Sequence, residues 1–391
     1  MFLFLSESDL EQKFRVTDSN GLDPSDRYDV VISFKSAEDL PKMDILGRGD
    51  PYFVATINDQ ISFTSMIVPN TSSPKWNNEE WIVRNIPMNA KLSVTIYDKD
   101  DEKVIDDYVG KFEIENIVNY QASEDGHRII GPSNQYRGRF YLSIDASKSS
   151  PESQQLPSYT YDGPCRFFRH DDFVVGRFTM LNHDCVYSTW KIQMRRISFF
   201  FRYHELQHWN LDSRNAQILF GDCALSLIAQ NSLKLAHRTL YRRTLTNTEN
   251  GQLNSSDDLW RLVFTNKTTQ RIKPCVYTYI IDDYTWRFSE TGNKFFADYA
   301  SKHALLANAS EYVRYAGEFH PRPKFGWNRC DDEWELVFNN ASGTYAPSVD
   351  LFTNLKQLLW FNFPGLNVVT YDFRDPLLKE SIEQLKLSTE K

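Results

Sequence analysis

The chain reads as two folded units: an antiparallel β-sandwich over residues 26–147, followed by an α/β or α+β domain over 159–391. Three observations lead there. Short β-branched and aromatic runs, split by turn residues, fill the first third with no helical period. A stretch rich in Ser, Pro and Gln, residues 148–158, then reads as a linker. Beyond it, strand-like and helix-like patterns alternate.

Taken in order, residues 1–25 read as a flexible leader. The sandwich strands are expected at Val30–Phe34, Tyr52–Ile57, Leu92–Tyr97, Phe112–Ile114 and Phe140–Ile144. In the second unit helices are expected around Ala216–Leu245 and Thr291–Ala309, and strands at Tyr312–Phe319 and Trp334–Phe338. The chain end is the clearest part. A strand to Asn339, a polar loop Asn340–Pro347, a helix from about Ser348 to Phe361, a strand Asn367–Asp372 and a closing helix make a βαβ unit.

Charge is unevenly distributed over the 391 residues. Residues 1–146 hold 25 acidic against 15 basic residues, and the remainder holds 27 against 29. The acidity of the first third excludes nucleic acid as its partner. No run of residues is long and apolar enough for a spanning helix. The five cysteines are odd in number and widely spaced, which fits reduced thiols and a cytoplasmic setting.

The acidic residues recur at strand ends. Asp44 and Asp50 flank a glycine-bearing loop, Asp98 and Asp100 lie on the same side of an extended segment, and Asp106 and Asp107 precede Tyr108-Val109-Gly110. Carboxylates gathered in this way on adjacent loops repel one another unless a cation neutralises them. An all-oxygen set on flexible loops suits Ca²⁺, which takes about 6–8 oxygens, better than Mg²⁺, and the lack of Cys and His argues against zinc.

These residues sit within stretches that resemble the C2 domain family: Asp39-Leu40-Pro41-Lys42-Met43-Asp44, Gly49-Asp50-Pro51-Tyr52, Asn70-Thr71 with Pro74-Lys75-Trp76-Asn77, Tyr97-Asp98-Lys99-Asp100 and Asp107-Tyr108-Val109-Gly110-Lys111-Phe112. The resemblance implies a sandwich whose loops bind Ca²⁺ and then an anionic, phosphatidylserine-like phospholipid membrane. By position it implies Asp44, Asp50, Asp98, Asp100 and Asp107 as ligands. The third loop is a residue longer than the common form, so Asp106 replaces or joins Asp107. Ile45, Leu46, Val104 and Ile105 at the loop tips would contact the membrane. The expected protein is cytoplasmic and reversibly membrane-associated, its second domain a scaffold or ligand-binding module with scope for a protein partner.

Other signals point elsewhere. A membrane-recruited, lipid- or ester-acting hydrolase would need a site in 159–391, with His303, Glu318 and His320 as candidates, but no triad is assignable. His204-Glu205-Leu206-Gln207-His208 matches a zinc-peptidase pattern without its usual third ligand. Lys234, Arg238, Arg242 and Arg243 form a basic ridge if helical, and the loop Asn339–Tyr345 is a weak anion-cradle candidate. Ser289–Gly292, Glu318–Pro323 and Ser342–Pro347 resemble an uncharacterised fungal-type region that follows C2 domains, which implies architecture and little chemistry.

Overall fold

A computed structural model describes residues 26–42, 49–99, 106–172, 187–201, 249–266, 269–290, 313–329, 333–342, 345 and 347–389, with the isolated positions 214, 217, 224, 226 and 228. Among the described residues the first strands are β1 Arg27–Glu38, β2 Pro51–Ile57, β3 Ile61–Thr64, β4 Lys75–Pro87, β5 Leu92–Asp98, β6 Asp107–Ile114, β7 His127–Ile130, β8 Tyr136–Lys148 and β9 Thr160–Tyr161. They join as one curled sheet in the order β3-β2-β5-β6-β7-β8-β1-β4-β9, antiparallel throughout. The expected sandwich is present. Its alternation is plain in β5, where Leu92, Val94 and Ile96 enter the core and Ser93, Thr95 and Tyr97 do not. Phe34, Phe53, Phe63, Trp76, Trp81 and Phe140 fill the interior, many in tilted or edge-on pairs.

The stretch 148–158 is ordered. A one-turn helix α1, Pro151–Gln154, is capped by the Ser150 side chain. Asp29 accepts hydrogen bonds from the Ser149 and Ser153 hydroxyls, each at 2.7 Å, and from the Asn85 amide at 3.1 Å. Burial works against an ionised Asp29, but these bonds and the Arg84 charge outweigh it and hold its pKa below the ordinary value. The serines that make the segment look like a spacer are therefore donors to a buried carboxylate.

A second sheet follows, built of β10 Cys165–Asp172, β11 Tyr187–Gln193, β12 Glu249–Leu253, β13 Tyr277–Ile281, β14 Thr285–Glu290, β15 Tyr315–Pro323, β16 Trp334–Asn339 and β17 Val368–Tyr371. Its order is β12-β10-β11-β14-β13-β15-β16-β17, with only the β16–β17 pair parallel among the described strands. Between those two runs a helix α2, Phe352–Asn362, entered through a turn that Ser348 caps; a closing helix α3 spans Pro376–Thr389. Leu355, Leu358 and Leu359 on α2 pack against Phe338 and its neighbours, the i, i+3, i+4 spacing that made this helix legible. The expected βαβ end is thus found within a residue or two, in a unit that is otherwise β-rich.

One expected boundary moves. The strand expected to stop at Phe319 continues through Pro321 to Pro323. Past Phe319, β13 no longer pairs with β15, so the missing proline N–H groups face the unpaired side while β16 continues on the other. Within β15, Gly317 is also required, because a Cβ there would lie 2.0 Å from the Asn339 carbonyl oxygen. The helical pattern 291–309 lies outside the described residues, as does most of 216–245, where positions 217, 224, 226 and 228 are helical.

The two sheets meet at a closed seam. Arg166 on β10 donates to the Thr64 carbonyl of β3 at 2.8 Å and to Glu79 of β4 at 2.7 Å. Its guanidinium also lies 4.6 Å over the Phe63 ring. At the far end of the sandwich Tyr284 donates to the Gln60 carbonyl, and Asp162 joins Arg84 to Arg196. No helix among the described residues is long and apolar enough to cross a membrane.

Candidate metal centre

Strands β2, β5 and β6 are neighbours, and their register brings one end of each together. Pro51 pairs with Asp98, and Asp98 with Asp107. Asp50, Asp98 and Asp107 therefore occupy the same end of the sandwich although they lie far apart along the chain. Asp98 continues the Leu92, Val94, Ile96 phase, so a carboxylate takes the last inward position of β5 and is only 3 % exposed. An acid in the core phase of a strand is a costly choice without compensation. The same strand alternation makes it visible in the sequence.

Backbone groups of the neighbouring loops hold the carboxylates. The Asp50 amide donates to Asp98 Oδ1 at 2.5 Å, and the Asn70 amide donates to Asp50 Oδ1 at 2.6 Å. The Thr71 amide donates to the Gly49 carbonyl at 2.8 Å, and the Lys99 amide to the Asp50 carbonyl at 3.1 Å. Asn70 adopts φ 54°, a left-handed conformation that Asn tolerates well, and so turns its amide toward Asp50. Asn70 lies in the Asn70-Thr71 motif, and its role of orienting Asp50 rests on a contact with a residue 20 positions away.

Gly49 sits against this cluster. A Cβ at that position would approach the Asp98 carboxylate to 2.4–2.8 Å. Gly49→Ala is expected to cost about 1–3 kcal/mol by forcing Asp98 or the loop aside. The urea midpoint of the full chain checks this, and an unchanged midpoint would contradict it.

Asp106 and Asp107 part company. The Tyr52 hydroxyl donates to Asp106 Oδ2 at 2.6 Å, and Asp106 is 6 % exposed. Tyr52 stacks on Tyr97 at 5.5 Å, and Tyr97 meets Tyr108 edge-on at 6.1 Å. Asp107 instead opens β6 directly across from Asp98. Asp44 and Asp100, and the tip residues Ile45, Leu46, Val104 and Ile105, lie outside the described residues. Among the described residues no group of three or more His, Cys, Asp or Glu side chains is arranged to hold a metal. Of the expected set, Asp50, Asp98, Asp106 and Asp107 are described, and all are oxygen donors, the donor type that Ca²⁺ takes.

The candidates of the second unit fare differently. His320 is fully buried, its Nε2 2.8 Å from the Ser381 hydroxyl, beside Arg322, which pairs with Glu335. Burial first, and then the Arg322 charge, push its pKa down to about 3. An imidazole depressed below its unfolded value of about 6.5 must stay neutral in the fold, so protonation of the unfolded chain costs stability as pH falls below that value. His320→Gln is expected to flatten the dependence of stability on pH between 6.5 and 4 by up to about 1.4 kcal/mol per pH unit. Urea denaturation at several pH values measures the slope, and equal slopes in both proteins would refute the assignment.

In the loop after β16, the amides of Ala341, Ser342 and Tyr345 already bond to Asn339 Oδ1, the Asn340 carbonyl and Ser342 Oγ. These described amides are spent within the loop and do not form the anion cradle. Asp282 pairs with Arg287, and Asp283 with Arg314. His303, the His204–His208 motif and Lys234, Arg238, Arg242 and Arg243 lie outside the described residues.

Comparison with known proteins gives this geometry a context. Residues 28–128 match the C2 domain family. Tricalbin-1 of Saccharomyces cerevisiae is 35 % identical over 88 residues, 22 % of this chain and 7 % of that protein. The E3 ubiquitin-protein ligase Nedd-4 of Drosophila melanogaster is 32 % identical over 113 residues, 27 % of this chain and 11 % of that protein. The matched stretch therefore spans about a tenth of the length of these curated relatives. Among solved structures, a C2 domain of plant Extended Synaptotagmin 1 has 17 % identity and a TM-score of 0.28, covering 33 % of this chain and 98 % of its own. The calcium-bound C2 domains of Extended-Synaptotagmin 2 have 19 % identity and a TM-score of 0.28, covering 38 % of this chain and 59 % of theirs.

Proposed function

With residues 28–128 a C2 domain, we propose that this chain binds Ca²⁺ at one end of its first sheet and docks there on an anionic, phosphatidylserine-like phospholipid membrane. The observation that carries this reading is the convergence of Asp50, Asp98 and Asp107 through the register of β2, β5 and β6. Asp44 and Asp100 complete the ligand set from the adjoining loops. Bound Ca²⁺ supplies positive charge and coordination positions for phosphate or carboxylate oxygens of a lipid headgroup.

The protein's own residues do the rest. The Asn70 and Asp50 amides orient Asp50 and Asp98 before any ion arrives, which lowers the ordering cost of binding. Tyr52 engages Asp106 and so favours Asp107 as the last ligand, with Asp106 positioning the third loop. Without the ion, the carboxylates repel an anionic surface; with it, Ile45, Leu46, Val104 and Ile105 are the apolar contacts, each worth about 1.5–3 kcal/mol if fully buried. The second unit, joined through Arg166, is carried to the membrane as a scaffold or ligand-binding module. Sedimentation with phosphatidylserine vesicles, in calcium and in chelator, tests the reading. Binding only with calcium and only to anionic vesicles is expected; equal sedimentation in both would end it.

A further inference from the structure

The second sheet has two unlike faces. One is aromatic, with Trp190, Tyr277, Tyr279, Trp286, Phe288 and Phe319 packed together. The other is polar. Across β10, β11 and β14 the register sets Phe168, Lys191 and Arg287 side by side, and in the next row Thr189 faces Ser289. Thr189 and Ser289 are fully or almost fully buried, and Lys191 keeps partial exposure within close-packed surroundings.

The cations on this face differ in how they are satisfied. Arg166 has Glu79 and the Thr64 carbonyl. Arg287 has Asp282 and the Thr285 hydroxyl. Lys191 has neither an ion pair nor a hydrogen bond among the described residues. The charged groups that act on it are Arg287 and Arg166, which oppose its charge, and Asp282, which favours it. Asp282 is already engaged by Arg287, by the Thr285 hydroxyl and by the amides of Tyr284 and Thr285. Two cations placed directly across from each other on paired strands destabilise a sheet. A half-buried ammonium whose nearest carboxylate, Asp282, is already engaged by Arg287 is only partly compensated.

We propose that Lys191 anchors an oxyanion-binding site on this polar face, taking a small ligand that carries a phosphate or carboxylate group, with Thr189 and Ser289 lining it. Such a ligand supplies the negative charge the local arrangement lacks and relieves the Lys191–Arg287 repulsion. The state of the amine agrees: burial and the Arg287 charge hold its pKa down to about 8. A bound anion raises it again, so binding at pH 8 takes up protons. This site is separate from the strand-end carboxylates of the first sheet and does not depend on calcium.

Competitive amine labelling of the full chain in chelator, read residue by residue by mass spectrometry, tests the assignment. Lys191 is expected to react at least roughly tenfold faster near pH 7.5 than an ordinary lysine, because its far larger free-amine fraction outweighs the weaker nucleophilicity of a less basic amine. Inorganic phosphate should slow that reaction several-fold relative to chloride at equal ionic strength. A parallel arm with phosphatidic acid vesicles separates the sources: protection by free phosphate assigns a soluble ligand, and protection by vesicles alone assigns a headgroup. No protection by either overturns the proposal. In Lys191→Met, phosphate should no longer raise the melting temperature; a shift equal to that of the parent also overturns it. Because the labelling uses the unmodified protein, its outcome does not depend on the variant folding.

Discussion

Asp98→Asn is expected to weaken calcium binding by at least about tenfold, or ~1.4 kcal/mol, and to abolish calcium-dependent sedimentation with anionic vesicles. The substitution keeps the side-chain shape and the acceptor for the Asp50 amide. It removes one negative charge from the most buried of the three strand-end carboxylates. The sign on the ion-free protein is opposite. In chelator, relieving repulsion among Asp50, Asp98 and Asp107 should leave stability unchanged or raise it. The pair of results is diagnostic: calcium raises the melting temperature of the parent and not that of Asp98→Asn. A variant that lost binding because it unfolded would melt early in chelator as well. Asp107→Asn should behave like Asp98→Asn, whereas Asp106→Asn keeps an acceptor for Tyr52 and should retain most calcium binding. Calcium-dependent sedimentation unaffected by Asp98→Asn would remove the basis of the proposed function.

Arg166→Ala is expected to destabilise the chain by about 3–5 kcal/mol. Its guanidinium is buried, bridges β3 and β4, and balances the Glu79 carboxylate, which also accepts from the Met66 amide at 2.9 Å. Removing the cation leaves that carboxylate buried with its charge uncompensated. The double variant Arg166→Met with Glu79→Leu should recover much of the loss, because a packed apolar pair of similar volume carries no desolvation cost. Equilibrium urea unfolding of the single and double variants measures both effects. A loss below about 1 kcal/mol for Arg166→Ala would mean that the seam is solvated and that the two sheets are only loosely joined.

How far the fold could be read in advance depended on where each signal lies. The five expected sandwich runs became β1, β2, β5, β6 and β8 because each alternates over its own length. Strand β3, of four residues, and β9, of two, are too short to establish any period. The βαβ end was legible because Leu355, Leu358 and Leu359 repeat at helical spacing between two apolar runs. The continuation of β15 through Pro321 and Pro323 was not legible, since it depends on where β13 ends, which nothing in β15 records. Likewise Ser149 and Ser153 look like solvated spacer residues until Asp29 is placed beside them, over a hundred positions away in the chain.

The sequence alone determined that acidic residues recur at strand ends and that the candidate donors are carboxylates, with no Cys or His among them. Those properties are local, set by residue type and a period of two. Only the tertiary structure decided that Tyr52 engages Asp106, that Arg166 closes the gap between β3 and β4, and that Lys191 faces Arg287 with no carboxylate of its own. Each of these rests on sheet register between segments far apart in the chain. Register is an outcome of the whole packing, and a single-residue slip would send every one of these side chains to the opposite face.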